Sequence, residues 1–181
     1  MRIIGGKHKG RKIYAPKNLP ARPTKDITKE SLFNALNNRF FFNEIRVLDL
    51  FAGTGNIAFE FASRGTPHVV AVDKHRPSIK FIEKTAKQLD LPVRVIQSDV
   101  KEFLKYPAGE SYDVIFMDPP YGIPDGLLTE LIDLIFENNY LAPGGILVIE
   151  HHKSKRPDKH PKYRKSKIYG QSVLSYFENK S

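Results

Sequence analysis

Short apolar runs rich in Val and Ile recur along the chain at 46–51, 69–73, 93–97, 113–117 and 146–150. Runs of this kind suit strands covered on both faces, as in a parallel sheet. Between them the apolar positions take helical spacing, over 56–63, 77–89, a short stretch at 100–104, and 126–136. In the last of these Leu127, Leu128, Leu131, Ile132 and Ile135 follow one face. Strand and helix alternate, which predicts an open, doubly wound α/β sheet. After Glu150 the rhythm changes. Residues 163–169 and 172–177 alternate polar with apolar or aromatic positions around Gly170-Gln171, the pattern of an antiparallel hairpin at the sheet edge. Upstream, 27–36 reads as a helix with Ile27, Leu32, Phe33 and Leu36 largely on one face, and 16–23 as a linker. Residues 2–4 and 11–14 flank a glycine-containing turn and form either a small hairpin or a disordered basic arm.

At 181 residues with 40% hydrophobic content, the chain is long enough for one substantial core. It has no apolar run of eighteen residues, and its basic start lacks the apolar stretch of a secretory signal. A cytoplasmic protein with no membrane association is expected, and nothing in the pattern suggests more than a monomer. The absence of cysteine excludes disulfides, zinc-thiolate sites and a cysteine nucleophile. The net charge of +9 is segregated: residues 1–25 carry eight Lys/Arg and no acid, 26–150 carry twelve against eighteen acids, and 151–170 carry eight against one. Basic ends around an acidic middle present a polyphosphate-binding surface beside an ordinary globular body.

The stretch 48–55, Leu-Asp-Leu-Phe-Ala-Gly-Thr-Gly, ends the first strand and opens a helix, where glycines let a ligand approach the backbone. The spacing of Gly53, Gly55 and Ala58 fits a dinucleotide as well as S-adenosylmethionine. Two acids shift the balance. Asp49, inside the loop, would repel a pyrophosphate but attract the ammonium of a methionine moiety. Asp73 ends the second strand at the spacing that puts a carboxylate on ribose hydroxyls. Asp99, after the third strand, either reaches an adenine amino group or caps the following helix.

Asp118-Pro119-Pro120-Tyr121 follows the fourth strand, at the carboxyl edge where open α/β sheets bind ligands. An aromatic amine is a poor nucleophile because its lone pair is delocalised into the ring. A carboxylate and a backbone carbonyl that accept its two N–H groups localise the lone pair and aim it. Asp118 and the Pro119 carbonyl supply those acceptors. The tandem prolines fix the backbone and remove two competing amide donors, and Tyr121 offers a ring on which a base can stack. Aimed at the methyl group of S-adenosylmethionine, such an amine would take it by in-line displacement from the sulfonium, which needs no metal. The lack of cysteine agrees, because pyrimidine C5 methylation ordinarily uses a cysteine nucleophile.

Over nearly its whole length the chain resembles the RsmD family of bacterial 16S ribosomal RNA guanine-N2 methyltransferases. The resemblance rests on Arg2-Ile3-Ile4-Gly5-Gly6, Lys9-Gly10-Arg11-Lys12, Arg22-Pro23-Thr24, Glu30-Ser31-Leu32-Phe33-Asn34, the 48–55 loop, Ser63-Arg64-Gly65 and Asp118–Tyr121. It implies a Rossmann-like S-adenosylmethionine-dependent methyltransferase fold: a basic RNA-binding extension over 1–25, then one domain over 26–181. Catalytic residues would be Asp118, Pro119, Pro120 and Tyr121. Asp49, Phe51, Ala52, Gly53, Thr54, Gly55, Asp73, Lys74, Asp99 and Val100 would bind the cofactor, and Arg2, Lys7, Lys9, Arg11, Lys12, Arg22 and Thr24 the RNA. The implied substrate is small-subunit ribosomal RNA, naked or within an assembled subunit. The segment 25–29 is less arginine-rich than is usual in the family. His151-His152-Lys153 is expected at the rim, in contact with solvent or phosphate. Adenine-N6 methylation of DNA, glutamine methylation of protein and a non-catalytic assembly factor remain alternatives.

Overall fold

Alternate residues of the central strands feed two separate apolar layers, and that division sets the architecture. The computed structural model describes residues 1–19 and 24–179; Arg22 and the last part of the expected linker lie outside the described residues. Seven strands form one sheet: β1 (Arg46–Leu50), β2 (His68–Asp73), β3 (Val93–Gln97), β4 (Tyr112–Met117), β5 (Leu141–His152), β6 (Tyr163–Tyr169) and β7 (Ser172–Phe177). Their order is β3-β2-β1-β4-β5-β7-β6. The first five run parallel and β7 and β6 antiparallel, so the C-terminal hairpin closes one edge.

Helices cover both faces, as a doubly wound sheet requires. Val47, Val69, Ala71, Val114, Phe116 and Val148 pack with α1 (Asp26–Asn37), α2 (Asn56–Ser63) and α3 (Arg76–Gln88). Leu48, Leu50, Val70, Val72, Ile115, Met117, Leu147 and Ile149 pack with α4 (Val100–Leu104) and α5 (Asp125–Glu137). The strand order reverses between β1 and β4, which puts the carboxyl ends of those neighbours at the topological switch point.

Three local expectations are corrected. β3 is an edge strand with no fully buried residue, so its apolar run is not covered on both faces. β5 begins five residues before the expected 146 and ends two after 150, because it pairs with β4 at Leu141 and with β7 as far as His152. Ile27 is 68% exposed. The buried face of α1 runs instead through Thr28, Lys29, Leu32, Phe33 and Leu36. A lysine occupies the inner seam and rotates Ile27 outward.

Residues 1–13 form the hairpin alternative, not a disordered arm. Arg2 bridges Lys12 antiparallel, Ile3 N–H donates to the Arg11 carbonyl at 2.9 Å and Ile13 N–H to the Met1 carbonyl at 2.9 Å. Ile3 and Ile13 are buried in the same layer as α1 and α2. The turn seats tightly on α2: Ser63 Oγ donates to the Gly5 carbonyl at 2.7 Å and accepts from His8 N–H at 2.9 Å. A Cβ at Gly6 would fall 1.9 Å from the Ser63 carbonyl oxygen, and φ there is +77°, so both space and backbone demand glycine.

Lys29 explains its own burial. Its Nζ lies 3.0 Å from Glu60 Oε1 on α2 and donates to Asn56 Oδ1 at 2.9 Å and to the Arg2 carbonyl. Glu60 is fully buried; it also accepts Ile4 N–H at 3.0 Å and Arg64 Nε–H at 2.9 Å. Removing one partner of a buried pair strands the other charge, at about 3–5 kcal/mol. Lys29→Ala should therefore lower unfolding free energy by about 3 kcal/mol, the low end because Arg64 still faces Glu60. Urea unfolding checks this; a loss below about 1 kcal/mol would show that Arg64 alone compensates Glu60.

Candidate active site

A cavity of about 540 Å³ opens at the carboxyl ends of β1, β2 and β4, in the size range of small-molecule sites. Its wall includes Asp49, Phe51, Ala52, Gly53, Thr54, Asp73, Lys74, Asp118, Pro119, Pro120 and Tyr121. Sequence and structure thus bring together most of the expected cofactor and catalytic residues.

The loop from β1 into α2 is tightly coiled. Phe51, Gly53 and Gly55 have φ of +58°, +59° and +81°. A positive φ is uncommon outside glycine, so Phe51 is held by its surroundings. Ala52 N–H donates to the Val72 carbonyl at 3.0 Å, and a Cβ at Gly55 would meet the Phe59 ring at 2.9 Å. Asp73 spans two loops: Oδ2 accepts Gly53 N–H at 2.9 Å and Oδ1 accepts His75 N–H at 2.8 Å.

Asp49 is buried beneath this loop, with Oδ2 accepting Ala58 N–H at 3.2 Å. Burial pushes its pKa up to about 8; the Ala58 hydrogen bond opposes that shift and the nearby Asp73 charge adds to it. Asp118 follows β4, its N–H pointing to the Leu50 carbonyl at 3.4 Å. Pro119 is buried, whereas Tyr121 is half exposed with its ring edge-on to the His152 ring at 5.5 Å.

Other candidates fall elsewhere. Asp99 caps α4, accepting Glu102 N–H at 3.2 Å, and neither it nor the buried Val100 belongs to the cavity wall. Thr24 is buried in that wall and donates to Glu150 Oε1 at 2.6 Å. Arg2 is paired with Asp26 at 2.8 Å, and Lys7 lies 4.0 Å from Asp90. Lys9, Arg11 and Lys12 are exposed. The expected rim contact fails for His151, which is buried with Nε2 2.7 Å from Ser175 Oγ and its pKa lowered by that burial. Strand alternation points it inward and leaves His152 beside Tyr121.

Asn56, Ile57, His75, Ser78 and Phe116 complete the wall and escaped the sequence reading. Asn56 and His75 were open to detection, since each stands where a ligand loop turns into a helix. Among the described residues, no cluster of three or more His, Asp or Glu side chains is placed to hold a metal ion, and no helix is long and apolar enough to cross a membrane.

The sheet order and the loop at its switch point are those of a methyltransferase fold. The Thermus thermophilus 16S rRNA N2 G1207 methyltransferase RsmC, solved with AdoMet and guanosine, superposes with a TM-score of 0.70 at 22% identity, over 90% of this chain and 45% of that one. The hypothetical protein TTHA0928, also from Thermus thermophilus, is nearer, with a TM-score of 0.83 and 29% identity over 99% of both chains. The family model described as conserved hypothetical protein 95 matches residues 1–178. Ribosomal RNA small subunit methyltransferase D is 34% identical in Escherichia coli (83% of this chain, 74% of that) and 33% in Haemophilus influenzae (86% and 80%). The chain belongs to this family of ribosomal RNA methyltransferases.

The raised pKa of Asp49 fixes the sign of a pH effect. Between about pH 4 and about pH 8 the native state holds a proton that the unfolded chain has released, so unfolding releases a proton and stability falls as pH rises. Asp49→Asn, which keeps an acceptor for Ala58 N–H, should flatten that fall. Urea midpoints of both proteins across this window measure the difference; parallel curves would mean that Asp49 is ionised in the native state.

Proposed function

We propose that the protein transfers the methyl group of S-adenosylmethionine to the exocyclic N2 amino group of a guanine in small-subunit ribosomal RNA. The carrying observation is that Asp118–Tyr121 line one cavity with Asp49 and residues 51–54, at the ends of adjacent strands. Family membership narrows the amine to that of an RNA base.

The residues fit the cofactor. Asp49 offers a carboxylate to the methionine ammonium, the loop from Phe51 to Gly55 offers close backbone approach, and Asp73 with Lys74 edges the ribose. Asp99 and Val100 lie outside the cavity wall, so they would meet the adenine only where the cofactor extends past it. The bound sulfonium supplies an electrophilic methyl carbon. A cation beside Asp49 favours its ionised form, so binding near pH 7 should release a proton.

Asp118 and the Pro119 carbonyl accept the two N–H groups of the guanine amine, and Tyr121, steadied by His152, stacks on the base. The amine lone pair attacks the methyl carbon as the carbon–sulfur bond breaks, and the surplus proton passes to Asp118 or to water. Lys7, Lys9, Arg11 and Lys12 of the hairpin and the basic 151–170 segment would take phosphates, whether the RNA is naked or in an assembled subunit. A single chain suffices, because cavity and basic surface belong to one copy.

Transfer of labelled methyl to ribosomal RNA, DNA and protein, followed by nucleoside analysis, tests the reading. Label in N2-methylguanosine supports it, and label in N6-methyladenine or in protein overturns it. Asp118→Ala should retain cofactor affinity and lose about 100-fold in turnover, the worth of a charge-assisted hydrogen bond of about 3 kcal/mol made in the transition state. Unchanged turnover would remove Asp118 from the chemistry. Asp73→Ala should weaken cofactor binding by about 1.5–3 kcal/mol in calorimetry, by removing both a ligand contact and the anchor of Gly53.

A further inference from the structure

A second concavity, of about 320 Å³, lies between the outgoing arm of the N-terminal hairpin and the outer face of α3. We infer that this groove binds one unpaired nucleotide of the RNA, its base against Tyr14 and the apolar floor and its phosphate on Arg11, Lys12 and Lys84. The inference rests on the RNA methyltransferase reading and adds to it a site that the catalytic cavity does not contain.

Three features of the groove point to a nucleotide. Its floor is apolar, with Ile13 and Leu89 buried and Phe81 half-buried. Its polar wall holds the exposed cations Arg11, Lys12 and Lys84, while no carboxylate among the described residues lines it. Tyr14 stands at its edge 82% exposed. A tyrosine that open to water does nothing for the core, but beside cations it forms the stacking platform and electrostatic funnel of single-strand binding. Gln88, also in the wall, carries an amide that both donates and accepts, as a base edge requires. Duplex RNA could use the cations but not the aromatic ring, since its bases are already stacked.

The groove is built before any ligand arrives. His8 Nε2 lies 2.7 Å from the Leu89 carbonyl, which ties the hairpin to the end of α3, and Ile3 and Ile13 anchor the hairpin in the core. Preformed sites lose little entropy on binding. α3 also links groove to catalytic cavity: Ser78 lines the cavity and Phe81 the groove. They stand three positions apart on the helix, about 4.5 Å of rise. A strand lying along α3 therefore runs from the groove toward the cavity, and stacking of its nucleotide in the groove offsets part of the cost of unstacking the guanine.

Fluorescence anisotropy with a labelled single-stranded RNA oligonucleotide, and with the same sequence annealed into a duplex, tests the groove at several salt concentrations. Tyr14→Ala should weaken single-strand binding about 5- to 150-fold, the range for loss of one base–aromatic stack. Tyr14→Phe should restore it, and duplex binding should change less than about 2-fold. Lys84→Glu should flatten the dependence of log affinity on log salt by about 0.7 or more. Equal calorimetric affinity for S-adenosylmethionine in all variants confirms that they are folded. Unchanged single-strand affinity and slope in both Tyr14→Ala and Lys84→Glu, or equal weakening of duplex and single strand, overturns the groove. The functional reading would then survive if the wild type still methylates ribosomal RNA. A wild type that methylates no RNA removes both.

Discussion

The buried carboxylate of Glu60 is the point on which hairpin, helices and active-site loop converge. It receives a charge from Lys29 on α1, a charge from Arg64 just past its own helix and an amide from Ile4 in the hairpin. A fully buried carboxylate is tolerable only when its lone pairs are met this completely. The requirement runs outward. Lys29 also holds Asn56, Asn56 Nδ2 donates to the Thr24 carbonyl at 3.2 Å, and Thr24 Oγ1 donates to Glu150 at the end of β5. One polar chain thus joins the basic hairpin to the cavity wall, and the first residue of α2 belongs to both. A hairpin of this size would be marginal alone in water; here ionic contacts and the burial of Ile3 and Ile13 fix it to the body.

The cavity depends on a second constraint, the reversal of strand order between β1 and β4. Two loops that are distant in sequence must emerge side by side there, one coiled by left-handed residues and one stiffened by prolines. Asp49 lies under the first loop, where burial favours its neutral form. Its hydrogen bond from Ala58 N–H ties that loop to the start of α2.

Much of this was legible in the chain because period and chemistry agreed. The runs at 46–51 and 69–73, the glycines at 53 and 55 and the prolines at 119 and 120 each specify local geometry by themselves. What was not legible arises from long-range pairing. Ile27 looked interior because apolar residues usually are; nothing local shows that Lys29 has Glu60 waiting thirty-one positions away. Thr24 sits in a basic, proline-bounded stretch that reads as RNA surface, and only the fold brings Glu150 to it. Asp99 carried two readings in sequence, an adenine contact and a helix cap, and the structure shows the cap, on Glu102 N–H. The length of β5 was hidden by Pro143, Gly144 and Gly145, which punctuate local structure yet are carried by pairing on both sides.

The two basic segments gain their meaning from where the fold puts them. Thr54 Oγ1 donates to Met1 Sδ at 3.3 Å, so the hairpin begins at the glycine loop on one rim of the cavity. On the other rim His152 braces Tyr121, and Lys155 donates to the Ile123 carbonyl at 2.7 Å, just past Asp118–Tyr121. The acidic stretch of sequence between them forms the parallel part of the sheet and its helices. A polyanion drawn to both basic segments is therefore led across the mouth of the cavity, past Asp118–Tyr121. Long-range attraction falls off within about 10 Å at moderate salt, so two flanking patches align a strand far better than one. Affinity and orientation then come from the same charges, while Tyr121 and the prolines before it form an uncharged part of the rim.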